Sequence, residues 1–349
     1  MPKVTGVRLE RLRISRAANL SWNVSRAGRV HRVMGRRRLG CVLVLMLARC
    51  LALPQADQNP APSVAPPPVT PADANSASAS SALSRDLSNE EVRLLIQKAA
   101  ENDIINDQKQ RNYTYTEREE ERRLDGSGQV RSAESTTREV MVLYGEPVER
   151  LVRRNDQPLS EKEASKEEQR IQNIMEKRKN ETEEERKKRL EREAKEREEE
   201  REFVKEVNDA YTFHVAGLES VDGRDTYVID ADPRPGFQPH HKEAKYLSKV
   251  RGRIWIDKAD GQWMKVDVEA LDTLSWGLFL ARVHPGTHIV VEQTRINDEV
   301  WLPKHIWMKL DAKIALLKNY NLTADVTYTD YKKFRSDTKI VPPEVVDNQ

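Results

Sequence analysis

The chain reads as an α+β protein: a strongly curved antiparallel sheet covered by helices and interrupted by a long charged helical insertion. Three observations lead there. Beyond residue 111 the apolar period switches from helical spacing to strict alternation, in segments such as RNYTYTEREEERRL, KVRGRIWIDKADG and EVWLPKHIWMKLDAKI. About ten such segments follow one another with short, turn-rich connections, which favours antiparallel pairing. One amphipathic helix precedes them, and residues 160–202 break the alternation with a run of interleaved Glu, Lys and Arg.

The N-terminal elements come first. Residues 34–56, MGRRRLGCVLVLMLARCLALPQA, read as a cleavable export signal. Arg36, Arg37 and Arg38 form a basic n-region, an apolar h-region follows, and Ala52 and Ala56 are small residues suited to cleavage. Arg49 keeps the apolar run too short for a membrane span. A short anchor helix and lipidation at Cys50 are the alternatives, and Met34 is a candidate start. Residues 1–56 are therefore expected to be leader and signal, and the Pro/Ala/Ser-rich residues 57–87 a disordered tether.

Charge and cysteine content bear on function. Residues 1–52 hold twelve Lys/Arg against Glu10, so +11 of charge sits there and the rest of the chain carries −9 against the formal total of +2. A nucleic-acid partner is accordingly not expected. Cys41 and Cys50 both precede Ala52, leaving the mature chain without a disulfide or thiol ligand. No transmembrane segment is expected in the mature chain.

In the body, Ser88 and Glu91 have the spacing of a capping box, and Val92, Leu95, Ile96, Ala99 and Ile104 form an apolar stripe. Asp222-Gly223, Asp260-Gly261 and Asn297-Asp298 read as hairpin turns. In three strands one face is aliphatic: Ile254 and Ile256, then Met264, Val266 and Val268, then Ile306, Met308 and Leu310. The other face is mixed, with Trp255, Trp263 and Trp307 among charges. Residues 270–282, ALDTLSWGLFLAR, break the pattern and suit a short apolar helix lying on the sheet. The insertion at 160–202 reads as a solvated helix, with a partner-docking arm or coiled coil and disorder as alternatives.

Chemistry-bearing motifs are sparse. There is no nucleophile elbow, phosphate-cradling glycine loop or HExxH motif. His240-His241 and His284 with His288 invite a metal-site reading, and Asp230 with Asp232 near them a hydrolase reading. Pro285-Gly286 separates one His pair, and the other lies in a Pro/Gly loop. No cofactor, metal or catalytic residue is expected, and the protein is not expected to be an enzyme. The candidate apolar ligand-binding residues are Ile254, Ile256, Val266, Leu274, Trp276, Phe279, Leu280, Ile306 and Met308; these same residues also suit a solid core.

The order of export signal, amphipathic helix, NYTYTEREEERRLDGSGQV, then GRIWIDKADGQWMKVDVEALD and the closing EVWLPKHIWMKLDAKIALLKNYNLTADVTYTDYKKF resembles the LolA/LolB-like superfamily of periplasmic lipoprotein carriers. The D-x-x-x-G turn between Trp255 and Trp263, and Trp301-Leu302-Pro303, carry the likeness. The resemblance implies an open or half-closed β-barrel of about ten or eleven strands over residues 88–334, interrupted by 160–202 and followed by a tail at 335–349. It also implies non-catalytic binding of a lipid, acyl chain or lipoprotein, in the periplasm or at the periplasmic face of the outer membrane, as in lipoprotein sorting or outer-membrane maintenance. The alternative is an envelope scaffold that docks a protein partner through 160–202.

Overall fold

A computed structural model describes residues 87–334, apart from 145, 242–243, 277–280 and 315–317. The signal, the tether and the C-terminal tail expected from the sequence lie outside the described residues.

Helix α1 (Asn89–Gln110) starts where the sequence places it. Ser88 accepts the Glu91 N–H, and the Glu91 carboxylate returns the bond to the Ser88 N–H at 2.8 Å. This closes a capping box that satisfies two otherwise orphaned donors. Val92, Ile96 and Ala99 form the buried stripe. The C-terminal turns are anchored by amides instead. Asn106 accepts the Trp301 N–H at 2.7 Å and donates back to the Trp301 carbonyl, while Asn102 donates to Asp260 and Gly261.

Strands β1 (Tyr113–Leu124), β2 (Val130–Leu143), β3 (Glu146–Arg154) and β4 (Gln157–Pro158) follow as a meander. Then come α2 (Glu161–Lys179) and α3 (Glu183–Ala210), each opened by its own capping box at Ser160–Glu163 and Thr182–Glu185. The charged run is thus two helices, and its helical part extends to Ala210. Strands β5 (Tyr211–Val221) and β6 (Arg224–Pro233), a 3-10 helix (Ala244–Lys249), β7 (Val250–Asp257) and β8 (Trp263–Ala270) come next. The chain continues through β9 (Leu274–Trp276), β10 (Ala281–Val283), β11 (His288–Ile296), β12 (Val300–Ile314) and β13 (Lys318–Lys333). The expected turns at Asp222-Gly223 and Asn297-Asp298 carry the positive φ of tight hairpins. At Gly261 φ is +68°, in the left-handed region that favours glycine, while an added Cβ would meet only the movable end of the Lys98 side chain at 2.9 Å.

The sheet order is β4-β3-β2-β1-β13-β12-β11-β8-β7-β6-β5, with the β9–β10 hairpin attached through β12. This corrects the expected strongly curved, open or half-closed barrel of ten or eleven strands. Thirteen strands form an open sheet, neither closed nor rolled up, and its end strands β4 and β5 do not pair with each other. The physical reason lies in the β1–β4 wing. On the face that is aliphatic in β13 and β12, β1 presents Glu117, Glu119 and Glu121, so the aliphatic rows stop at β13 and do not run on across β1. The apolar face is covered by helices instead.

A second correction concerns residues 270–282. The described part is a hairpin, not a helix: β9 pairs with β10, and β10 continues the line of β11 along β12. Short apolar runs do not distinguish helix from strand by period, and here the pairing edge of β12 decides.

Candidate ligand-binding face

Cross-strand register assembles the aliphatic face residue by residue. One row runs Val326, Ile306, Val291, Val266, Ile254, Ile229, Val215 across seven strands. The next runs Ala324, Met308, Ile289, Val268, Gly252, Ala231, Phe213. Directly opposed side chains of an antiparallel pair lie on one face, so these rows are continuous. Val92, Ile96 and Ala99 of α1, Phe203 and Ala210 of α3, and Tyr246 and Leu247 of the 3-10 helix pack on them. Tyr246 donates to the Ser275 carbonyl at 2.8 Å, tying the 3-10 helix to the β9–β10 hairpin.

The candidate residues fall into three groups. Ile256, Leu274, Ile306 and Met308 are buried in this cluster. Ile254 and Val266, paired with each other, also pack against it but remain part-exposed, although they lie on interior strands. Trp276 pairs through its backbone with Ala281 in β9, and Phe279 and Leu280 lie outside the described residues. Gly252, on the same face, is also part-exposed. An added Cβ there would make ordinary contacts with the Asp267 carbonyl oxygen and Val268 at 3.6 Å and with Ala231 at 3.9 Å, so its hydrogen leaves a methyl-sized dip between them.

Toward β1 the face changes character. Glu117 lies between Tyr328 of β13 and Arg138 of β2. Arg138 donates to Glu117 at 3.3 Å and to Glu119 at 3.0 Å, and Tyr115 packs against Tyr328 and Tyr331. Burial pushes the Glu117 carboxyl up to about 7; Arg138 opposes the shift, while Glu149 and Glu119 add to it. Burial likewise holds the hydroxyls of Tyr115, Tyr328 and Tyr331 protonated well above the usual tyrosine range. Sequence reading missed this acid–aromatic rim. Its signal was phase: Glu117, Glu119 and Glu121 continue the alternation begun by Tyr113 and Tyr115.

The opposite face is laced by charge pairs. His288 meets Asp267 at 2.5 Å, His305 meets Asp325 at 3.0 Å, and Arg253 grips Asp230 at 2.5 and 3.0 Å. Trp255 donates to Glu219 and carries Lys265 over its ring, and Trp307 stands edge-on to His288. Trp263 is a correction to the expected mixed face. A register shift between β7 and β8 turns it to the helix side, where its indole N–H donates to Asp103 of α1 at 3.1 Å.

The weighed hydrolase cluster does not assemble. Asp230 is engaged by Arg253, whereas the Glu206 carboxylate accepts from the backbone N–H groups of His240 and His241 and meets His241 Nδ1 at 2.9 Å. Among the described residues no group of three His, Cys, Asp or Glu side chains is placed to hold a metal ion, and no helix is long and apolar enough to cross a membrane.

No protein-family model matches the chain, and no curated protein matches it. Solved structures align distantly. A domain described as an outer membrane lipoprotein-sorting protein from Vibrio parahaemolyticus is 13% identical, with 70% of this chain and 95% of that one covered at a TM-score of 0.25. A DUF1329 family protein from Desulfovibrio piger is 12% identical, with 71% and 95% covered and a TM-score of 0.25. A LolA superfamily protein from Nitrosomonas europaea is 12% identical, with 70% and 93% covered and a TM-score of 0.22. Scores at this level carry no argument about arrangement or activity, so the functional reading rests on the residues.

Proposed function

We propose that this protein binds an apolar ligand, a lipid or the acyl chain of a lipoprotein, without chemical turnover, on the aliphatic face beneath α1 and α3. The supporting observation is the part-exposed patch of Ile254, Val266 and Gly252 on interior strands β7 and β8, between the buried Val291 and Ile229 of the neighbouring strands. A solidly filled core would bury these positions as it buries Ile229 and Ile256. Ile256, Leu274, Ile306 and Met308 would form the walls, and Trp276, Phe279 and Leu280 are proposed as further contributors. The bacterial cell envelope is the proposed location, on the strength of the signal-like residues 34–56. Lipoprotein sorting or outer-membrane maintenance is the process such binding would serve.

Filling the dip tests this. Val266→Phe is expected to abolish uptake of a fluorescent fatty acid while leaving urea stability within about 0.5 kcal/mol, because empty space accepts the ring. In a filled core the same change overpacks and costs about 1–3 kcal/mol. Such a loss, in a protein whose unmutated form takes up no probe, would sink the reading.

A second reading draws on the outer turns of α3, where Glu183, Glu184, Lys187, Lys188 and Leu190 are exposed. These would dock an envelope protein partner, and charge reversal at Lys187 and Lys188 would then abolish partner capture without changing probe uptake.

A further inference from the structure

The outer edge of β3 is closed by side chains. Among the described residues, no strand pairs with β3 on that side beyond the two residues of β4. Instead α2 runs beside it, with Glu163 near Arg154, Glu168 near Arg150, and Ile171 packed on Leu143 and Val148. At the centre, the Glu167 carboxylate accepts the Leu151 N–H at 2.9 Å and Arg170 donates to the Glu149 carbonyl. Glu167 and Arg170 also bond each other, at 2.6 and 2.8 Å. A carbonyl and the N–H two residues on are the groups that one residue of an added parallel strand would engage. The ion pair therefore stands in for a neighbouring strand.

The other edge is different. Among the described residues β5 pairs with β6 alone; it is eleven residues long, contains no Pro, Lys or Arg, and has one register shift, between Val215 and Gly217. The two edges also differ in charge. β3 carries Arg150, Arg153 and Arg154 against Glu146 and Glu149, a net +1, while β5, β6 and their turn carry Glu219, Asp222, Asp225, Asp230 and Asp232 against Arg224, a net −4. A basic edge and an acidic edge on one molecule are complementary between copies, and such a heterologous contact propagates head to tail.

We propose that the Glu167–Arg170 pair is an edge guard, which keeps the chain from assembling head to tail through addition of a second copy's β5 to β3. Both side chains lie on the β3-facing side of α2, 15% and 37% exposed, and neither belongs to the apolar clusters, so their replacement spares the core.

The test uses the full chain, with sedimentation velocity over a wide concentration range and amide exchange at Leu151. Wild type is expected to keep one mass throughout. Glu167→Ala with Arg170→Ala should speed Leu151 exchange about tenfold or more at low concentration, as loss of a charge-assisted bond requires. At higher concentration it should form species growing past the dimer. Glu167→Gln with Arg170→Lys retains an acceptor and a donor and should behave as wild type. Adding Thr212→Lys and His214→Lys to the double-alanine chain should return it to the starting mass. The proposal is overturned if the double-alanine chain keeps the wild-type mass at every concentration. It is equally overturned if assembly persists undiminished with the lysines on β5, or if wild type already grows with concentration.

Discussion

Glu117→Gln probes the boundary where the aliphatic face meets charge. The Glu117 side chain is 19% exposed beside Arg138, and its carboxyl is held at about 7 against an ordinary 4.5. Because the folded value is the higher one, the folded state favours the neutral acid. The contribution to stability is full below about pH 4.5 and is lost as pH rises through about 7. The gap corresponds to about 3 kcal/mol as a ceiling. Residual solvent contact and the weaker bond a neutral amide offers Arg138, about 1 kcal/mol, reduce the net gain. Glu117→Gln should therefore be about 1–2 kcal/mol more stable than wild type at pH 8.5 and nearly equal to it at pH 4.5. Urea unfolding at the two pH values measures both differences. A variant less stable at pH 8.5, or a difference that does not change with pH, would refute the reasoning.

Two further perturbations follow from the same bonding. Asp257 is almost wholly buried; burial alone would raise its carboxyl, but Arg224 and the Asp260 and Ala259 N–H groups outweigh it and hold the carboxyl below the usual range. Asp257→Ala should cost about 3 kcal/mol by removing the main partner of Arg224, which keeps Asp260, and the acceptor of the Ala259 and Asp260 N–H groups; thermal scans should show the wild-type advantage present above about pH 4 and fading as acidification protonates Asp257. Asn106→Ala should cost about 2 kcal/mol in urea titrations, since it leaves the Trp301 N–H without its acceptor while Gln110 still serves the carbonyl at 3.2 Å. An unchanged midpoint would show that water replaces the amide.

Much of the local structure was legible from residue order. The Ser88–Glu91 box, the Asp222-Gly223 turn and the aliphatic phase of β7 and β12 follow from short-range chemistry, and the structure contains them. What escaped depended on long-range pairing. Whether β4 and β5 meet is a property of two edges more than fifty residues apart, and no local pattern encodes it. One extra residue in β8 was enough to move Trp263 to the other face. The charges of α2 looked solvated because Glu167 and Arg170 take backbone groups of β3 as partners, which composition does not reveal. Of the candidate site, the common face of Ile254, Val266, Ile306 and Met308 was readable from alternation. The dip at Gly252 was not, because it depends on Val268 and Ala231 of the flanking strands.

The most direct test of apolar-ligand binding is native mass spectrometry of the full chain, gently isolated from the membranes of the cells that make it and paired with lipid extraction of the same sample. Apolar-ligand binding requires acyl-bearing species bound at a defined stoichiometry and lost in Val266→Phe. A clean apo mass, unchanged after incubation with phospholipid and with a synthetic lipopeptide, would contradict it.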